Sequence, residues 1–96
     1  MYASMTLFTM PSGARSQMQD LAGKMLLGMR QMPGFVSLIC LLDDEGNEYG
    51  GVALWETREN AQAAMKQTGA KLDEALAGKV IGPLRRGLYE VYEPQV

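Results

Sequence analysis
At 96 residues, 47% of them apolar, the chain has material for one domain spanning residues 1–96 and one core, with roughly a third of its unfolded surface left exposed at this size. A net charge of −2, with nine Lys and Arg of which only Arg85 and Arg86 adjoin, excludes the basic stripe of a nucleic-acid binder. No apolar run reaches 18 residues, the N-terminus lacks the basic start and apolar core of a signal peptide, and the single Cys40 has no internal disulfide partner, so the expected setting is cytoplasmic and off the membrane.

The first segment, Tyr2–Thr9, is rich in β-branched and aromatic residues and stops at Pro11-Ser12-Gly13, which predicts a strand and then a turn. Ser12 is the expected N-cap of a first helix. Met18, Leu21, Ala22, Met25, Met29 and Met32 recur at helical spacing, with Arg15, Gln19, Asp20, Lys24 and Arg30 on other faces. The pattern predicts an amphipathic helix of about five turns. Gly28 within it costs up to about 1 kcal/mol relative to Ala, which length and packing offset.

Pro33-Gly34 ends that helix and starts an extended run over residues 35–42. The acidic turn beyond it holds Gly46 and Asn47, both tolerant of positive φ, and a second strand covers residues 50–56. Thr57 then caps a new helix, with Glu59 well placed for the helix dipole. In neither strand of this hairpin is one alternating face polar. A strand with one wet face alternates, so both faces of the sheet are expected to be covered. Two helices cover one face, and the chain has no second sheet for the other, which predicts a homodimer packed sheet to sheet.

The second helix carries Ala61, Ala64, Met65, Thr68, Leu72, Ala75 and Leu76 on one stripe, with a kink or split expected at Thr68-Gly69 and an end at Gly78. Residues 79–86, containing Gly82-Pro83, read as a connector, and residues 87–93 as a last strand. The order is βαββαβ: an α+β, ferredoxin-like arrangement with an antiparallel sheet.

The absence of histidine removes Ser-His and Cys-His nucleophile systems and His-ligated haem, and no GxGxxG, P-loop or CxxC motif is present. No metal site is expected. Asp43, Asp44, Glu45 and Glu48 lack the spacing of an EF-hand and read as a solvated turn. Cys40, among Ile39, Leu41 and Leu42, reads as an inert core thiol. The eight methionines admit two readings: gap-filling core, or a pliable apolar pocket between helices and sheet lined by Met25, Met29 and Met65. Trp55 is likewise either a core or dimer-interface residue or a pocket wall that stacks on an aromatic ligand.

Pro33-Gly34-Phe35 after the first helix, Trp55-Glu56-Thr57 at a strand-to-helix junction and the adjoining Glu59-Asn60-Ala61 resemble the antibiotic biosynthesis monooxygenase family of dimeric α+β barrels. The resemblance implies a ferredoxin-like subunit, a dimer whose sheets form a shared barrel, and a pocket between each sheet and its own helices. The family's haem degraders rely on an Asn on the first strand and on a Trp and a His at the second helix, none of which stands here. Its cofactor-independent oxygenases of quinols and phenols let the substrate supply the electrons, and that chemistry survives the loss of histidine. The resemblance therefore implies oxygenation of a small aromatic or quinol-like metabolite without a cofactor, with Trp55, Met25, Met29 and Met65 at the pocket and Asn60 and Arg58 either as polar contacts there or, being first-turn residues of the second helix, as capping or solvated groups. The alternative is a non-catalytic dimeric module that binds a small apolar ligand or is structural, favoured by the lack of any assignable general base.

Overall fold
The computed structural model describes residues 1–95. Its six elements are, in chain order, β1 (Tyr2–Thr9), α1 (Arg15–Met29), β2 (Phe35–Asp43), β3 (Glu48–Trp55), α2 (Arg58–Ala75) and β4 (Ile81–Glu90). The strands form one antiparallel sheet in the order β2-β3-β1-β4, so the two halves of the βαββαβ chain interleave and β1 and β3 lie side by side at its centre. Both helices pack on one face.

The local chemistry of the second half matches its residues closely. The Asn60 amide donates to Thr57 Oγ1 at 3.0 Å, capping α2 while Glu59 sits in its first turn. In the β2–β3 turn, Asp43 Oδ1 accepts from the Glu45 and Gly46 amides, both at 3.2 Å, and Asn47 takes the positive φ of 54°. Gly46 does not need positive φ; it needs to be small, because a Cβ there would run into the Asp43 carboxylate.

Several features differ from expectation. Helix α1 begins after Ala14, which makes no side-chain cap, rather than after Ser12, and it closes at Met29, nearer four turns than five. Helix α2 runs unbroken through Thr68-Gly69, with the Thr68 hydroxyl donating back to the Ala64 carbonyl at 2.7 Å rather than competing for the backbone amides. Strand β4 starts at Ile81 and contains Gly82-Pro83. As an edge strand it tolerates a residue without an amide, and its pairing with β1 shifts register between Leu7 and Thr9 to absorb the Pro. It also ends at Glu90, so the last three residues expected in it lie outside the sheet.

Large side chains gather at the two ends of the layer between sheet and helices. One cluster holds Phe8, Met10, Ala14, Met18, Tyr49, Leu72 and Leu76; the other holds Met29, Ala53, Trp55, Ala61 and Ala64. Across the sheet, the alternating partners Met5, Leu7, Val52, Leu54, Ile39, Leu41 and Tyr89 form a second apolar face that this chain leaves open. Ile39 is 57% exposed and Tyr89 53%. Among the described residues no helix is long and apolar enough to cross a membrane, and no cluster of three or more acidic, Cys or His side chains is placed to hold a metal ion.

Candidate functional site
Between those two clusters lies a half-open cavity of about 100 Å³. Its floor is the middle of the sheet, where the residues facing the helices are small: Ser4 and Thr6 on β1, Gly51 and Ala53 on β3, Cys40 on β2. Cross-strand pairing puts Thr6 beside Gly51 and Gly51 beside Cys40, so no bulky side chain rises from the centre. The roof is Met18, Leu21, Ala22, Met25 and Met29 from α1 with Met65, Thr68, Gly69 and Leu72 from α2. The two helices touch each other little. The ends are held apart by Trp55 with Phe35 on one side and by Phe8 with Tyr49 on the other.

The lining is apolar with a few polar points. Ser4 Oγ accepts from the Trp55 indole N–H at 3.1 Å, so the Ser4 hydroxyl proton is free to point into the cavity. The Tyr49 phenol donates to Asp44 Oδ1 at 3.0 Å, and Asp44 in turn pairs with Arg15 at 3.0 Å, which ties the start of α1 to the hairpin tip. Burial, then the hydrogen bond and charge of Asp44, push the Tyr49 hydroxyl above its ordinary range. Arg86 is the one charged side chain of the lining. It reaches from β4 across to α2, where Nη2 donates to Asp73 Oδ1 at 2.7 Å and lies 3.5 Å from the Gly69 carbonyl oxygen. Among the described residues no carboxylate lines the cavity.

Met25, Met29 and Met65 all line this space. Trp55 and Asn60, expected beside them, do not. Trp55 is fully buried behind Ser4, its ring edge-on to Phe35 at 5.6 Å, and it acts as an end support rather than a wall. Asn60 Oδ1 accepts from the Thr57 hydroxyl at 2.7 Å, and its side chain covers Gly34, whose φ of 77° and missing Cβ allow that close approach. Asn60 therefore ties the corner before β2 to the start of α2. Arg58 sits over the Tyr2 ring at 6.0 Å, outside the cavity lining. Cys40, expected in the core, is exposed on an edge strand and faces the cavity; partial burial raises its thiol above the ordinary value.

No protein-family model matches the chain, and no curated protein matches it significantly. Solved structures do. The cofactor-independent oxygenase SnoaB from Streptomyces nogalater superposes with a TM-score of 0.76 at 21% identity, over 97% of this chain and 94% of that one. The ActVA-Orf6 monooxygenase of Streptomyces coelicolor, in complex with nanaomycin D, gives 0.77 at 21% identity, over 99% and 90%. Rv0793 from Mycobacterium tuberculosis gives 0.74 at 17% identity, over 99% and 98%. This chain has the fold of the antibiotic biosynthesis monooxygenases. Within that fold, the polar groups that sequence reasoning passed over are Ser4, Thr6 and Arg86. For Arg86 a signal existed: Leu84, Arg86 and Leu88 alternate onto the helix-facing side once the strand is extended back to Ile81.

Proposed function
We propose that the cavity binds a small aromatic or quinol-like metabolite and that the chain oxygenates it with O2, without a cofactor. The observation that carries this reading is the cavity itself: apolar, half open, roofed by pliable methionines and equipped with one cation and a few hydroxyls, in a fold shared with cofactor-independent oxygenases. For an anthrone-type substrate the chemistry balances without any added reductant. The substrate loses a proton to solvent through the mouth, and its carbanion passes one electron to O2. The resulting radical pair collapses to a carbon-bound peroxide. Loss of water then converts the original CH2 to C=O, with one oxygen atom kept and the other released. In this scheme the protein excludes bulk water, orients the ring and stabilises the substrate anion, for which Arg86 is the positioned charge.

The open sheet face supports the companion proposal of a homodimer. Its middle is apolar, with the Arg85–Glu48 ion pair at one end, Ile39 and Ile81 are more than half exposed, and among the described residues no further element covers it. A second copy supplies a sheet of the same shape and chemistry.

The alternative, a binding module without turnover, is favoured by one specific feature: among the described residues no carboxylate lines the cavity and the Tyr49 phenol is committed to Asp44, so none of them presents a general base to a ligand. Oxygen uptake by metal-free protein with dihydroquinones, anthrones and naphthols separates the two. Protein-dependent uptake that is lost when Ala22→Trp fills the cavity supports the oxygenase. Uptake no faster than the spontaneous rate across the panel refutes it and leaves the binding module.

A further inference from the structure
The Arg86–Asp73 pair is arranged differently from a surface ion pair that merely decorates a helix. Arg86 belongs to the cavity lining, and its side chain is 35% exposed. Asp73 lies outside the lining, is 62% exposed, and holds the guanidinium through Nη2 alone, at 2.7 Å. Among the described residues Nε and Nη1 of Arg86 make no hydrogen bond to the protein, but both bidentate edges of the guanidinium, Nε with Nη2 and Nη1 with Nη2, include the Nη2 that Asp73 holds, so an oxyanion gains a bidentate contact only by taking Nη2 from Asp73. The head group lies against the helix backbone at Gly69, where even an added Cβ would stand in ordinary contact, 3.7 Å from the guanidinium carbon. The carboxylate that neutralises the cavity's only charge is thus exposed, singly bonded and replaceable.

We propose that Asp73 is a built-in competitor for Arg86, and that ligands entering this cavity are aromatic molecules bearing an anionic oxygen group that displaces Asp73 from the guanidinium. This rests on the cavity being the ligand site and adds the charge class of the ligand and the residue that sets its affinity. Asp73 touches no ligand. It is a positioning residue that holds Arg86 toward α2 when the cavity is empty and lowers affinity for anions by the strength of the bond that must be exchanged. A neutral ring of the same shape has no reason to break the pair, so its affinity is independent of Asp73.

Two fluorescent probes of one skeleton test this on the whole protein: 1-anilinonaphthalene-8-sulfonate, which is anionic, and N-phenyl-1-naphthylamine, which lacks the sulfonate. Titrations compare wild type, Asp73→Asn, Arg86→Met, the double variant and Ala22→Trp, with circular dichroism confirming the fold of each. The expected result is that Asp73→Asn tightens the anionic probe about two- to fivefold, the range open to a half-exposed ion pair. The neutral probe should be unmoved, the gain should vanish in the double variant, and Ala22→Trp should expel both probes. An unchanged ratio of the two affinities in Asp73→Asn, with both probes still expelled by Ala22→Trp, overturns the exchange and leaves the cavity as the ligand site. Failure of both probes to bind, or binding indifferent to Ala22→Trp, overturns the exchange together with the cavity reading beneath it.

Discussion

Replacing Trp55 by Phe separates a support from a wall. The structure places the indole fully buried, edge-on to Phe35, with its N–H spent on Ser4 Oγ behind the cavity floor. Phe keeps the aromatic contact but leaves a void of roughly 40 Å³, which at about 24 cal/mol per Å³ costs about 1 kcal/mol. Loss of the indole hydrogen bond adds about 0.5–1.5 kcal/mol. The sum, about 1.5–2.5 kcal/mol, corresponds in a domain of this size to a fall in Tm of about 6–20 °C. Differential scanning calorimetry at matched protein concentration measures it. The neutral naphthylamine probe should meanwhile bind within about twofold of wild type, because the lost atoms do not face the cavity. A Tm within about 2 °C of wild type together with a tenfold loss of probe affinity would falsify the support role and put the ring back on the ligand.

Three further outcomes are expected. Thr57→Ala removes the cap of α2 and the hydroxyl that donates to Asn60, and should lower the urea midpoint by the equivalent of about 0.5–2 kcal/mol with an unchanged m-value; no shift would mean that the cap adds nothing to the packing of Ala61 and Ala64. Ile39→Lys puts a charge in the middle of the open sheet face, and analytical ultracentrifugation should show dimer for wild type and monomer for the variant at micromolar concentration; a monomeric wild type contradicts the covered-face argument directly. Cys40 is more basic in the folded chain than when unfolded, because partial burial disfavours the thiolate. Its contribution to stability is therefore full below the unfolded thiol's pKa and is lost as pH rises through the folded one, so stability should decline above about pH 9 less steeply in Cys40→Ser. Iodoacetamide labelling of native protein should have its pH midpoint above that of urea-unfolded protein, and coincident midpoints would contradict the burial.

Much of the architecture was legible because each local signal had one physical solution. Pro33-Gly34, the Asp43-to-Glu48 turn and Thr57 each fix a boundary through a backbone constraint that no tertiary contact overrides. The methionine stripe of α1 marked the layer that faces the sheet, and Met25, Met29 and Met65 stand where helical spacing places them. What the sequence concealed is the floor. A cavity is made by small residues meeting across strands, and the meeting of Thr6, Gly51 and Cys40 depends on register, which single-strand patterns do not carry. Arg86 was hidden by Gly82-Pro83, which reads as a break anywhere but on an edge strand. Trp55 misled in the opposite sense: a large aromatic beside a helix start suits a pocket wall and an end support equally, and only the position of Ser4 between ring and cavity decides.

The same features explain why the cavity stays open. A layer of sheet and two helices gains stability by closing onto itself, and buried space left empty forfeits the contacts its lining would make. Here the helices cannot descend, because Trp55 and Phe35 at one end and Phe8, Met10 and Tyr49 at the other fill the full height of the layer, while the Arg15–Asp44–Tyr49 chain fastens α1 at the outer end. Between those supports the floor is built from Ser, Thr, Gly, Ala and Cys, where larger apolar residues on the same strands would fill the gap. A domain selected for stability alone would place Val or Leu at Thr6 and Ala53. Holding the middle of its own core empty is a stability cost that any apolar ligand of matching shape would offset by restoring the missing contacts to both roof and floor.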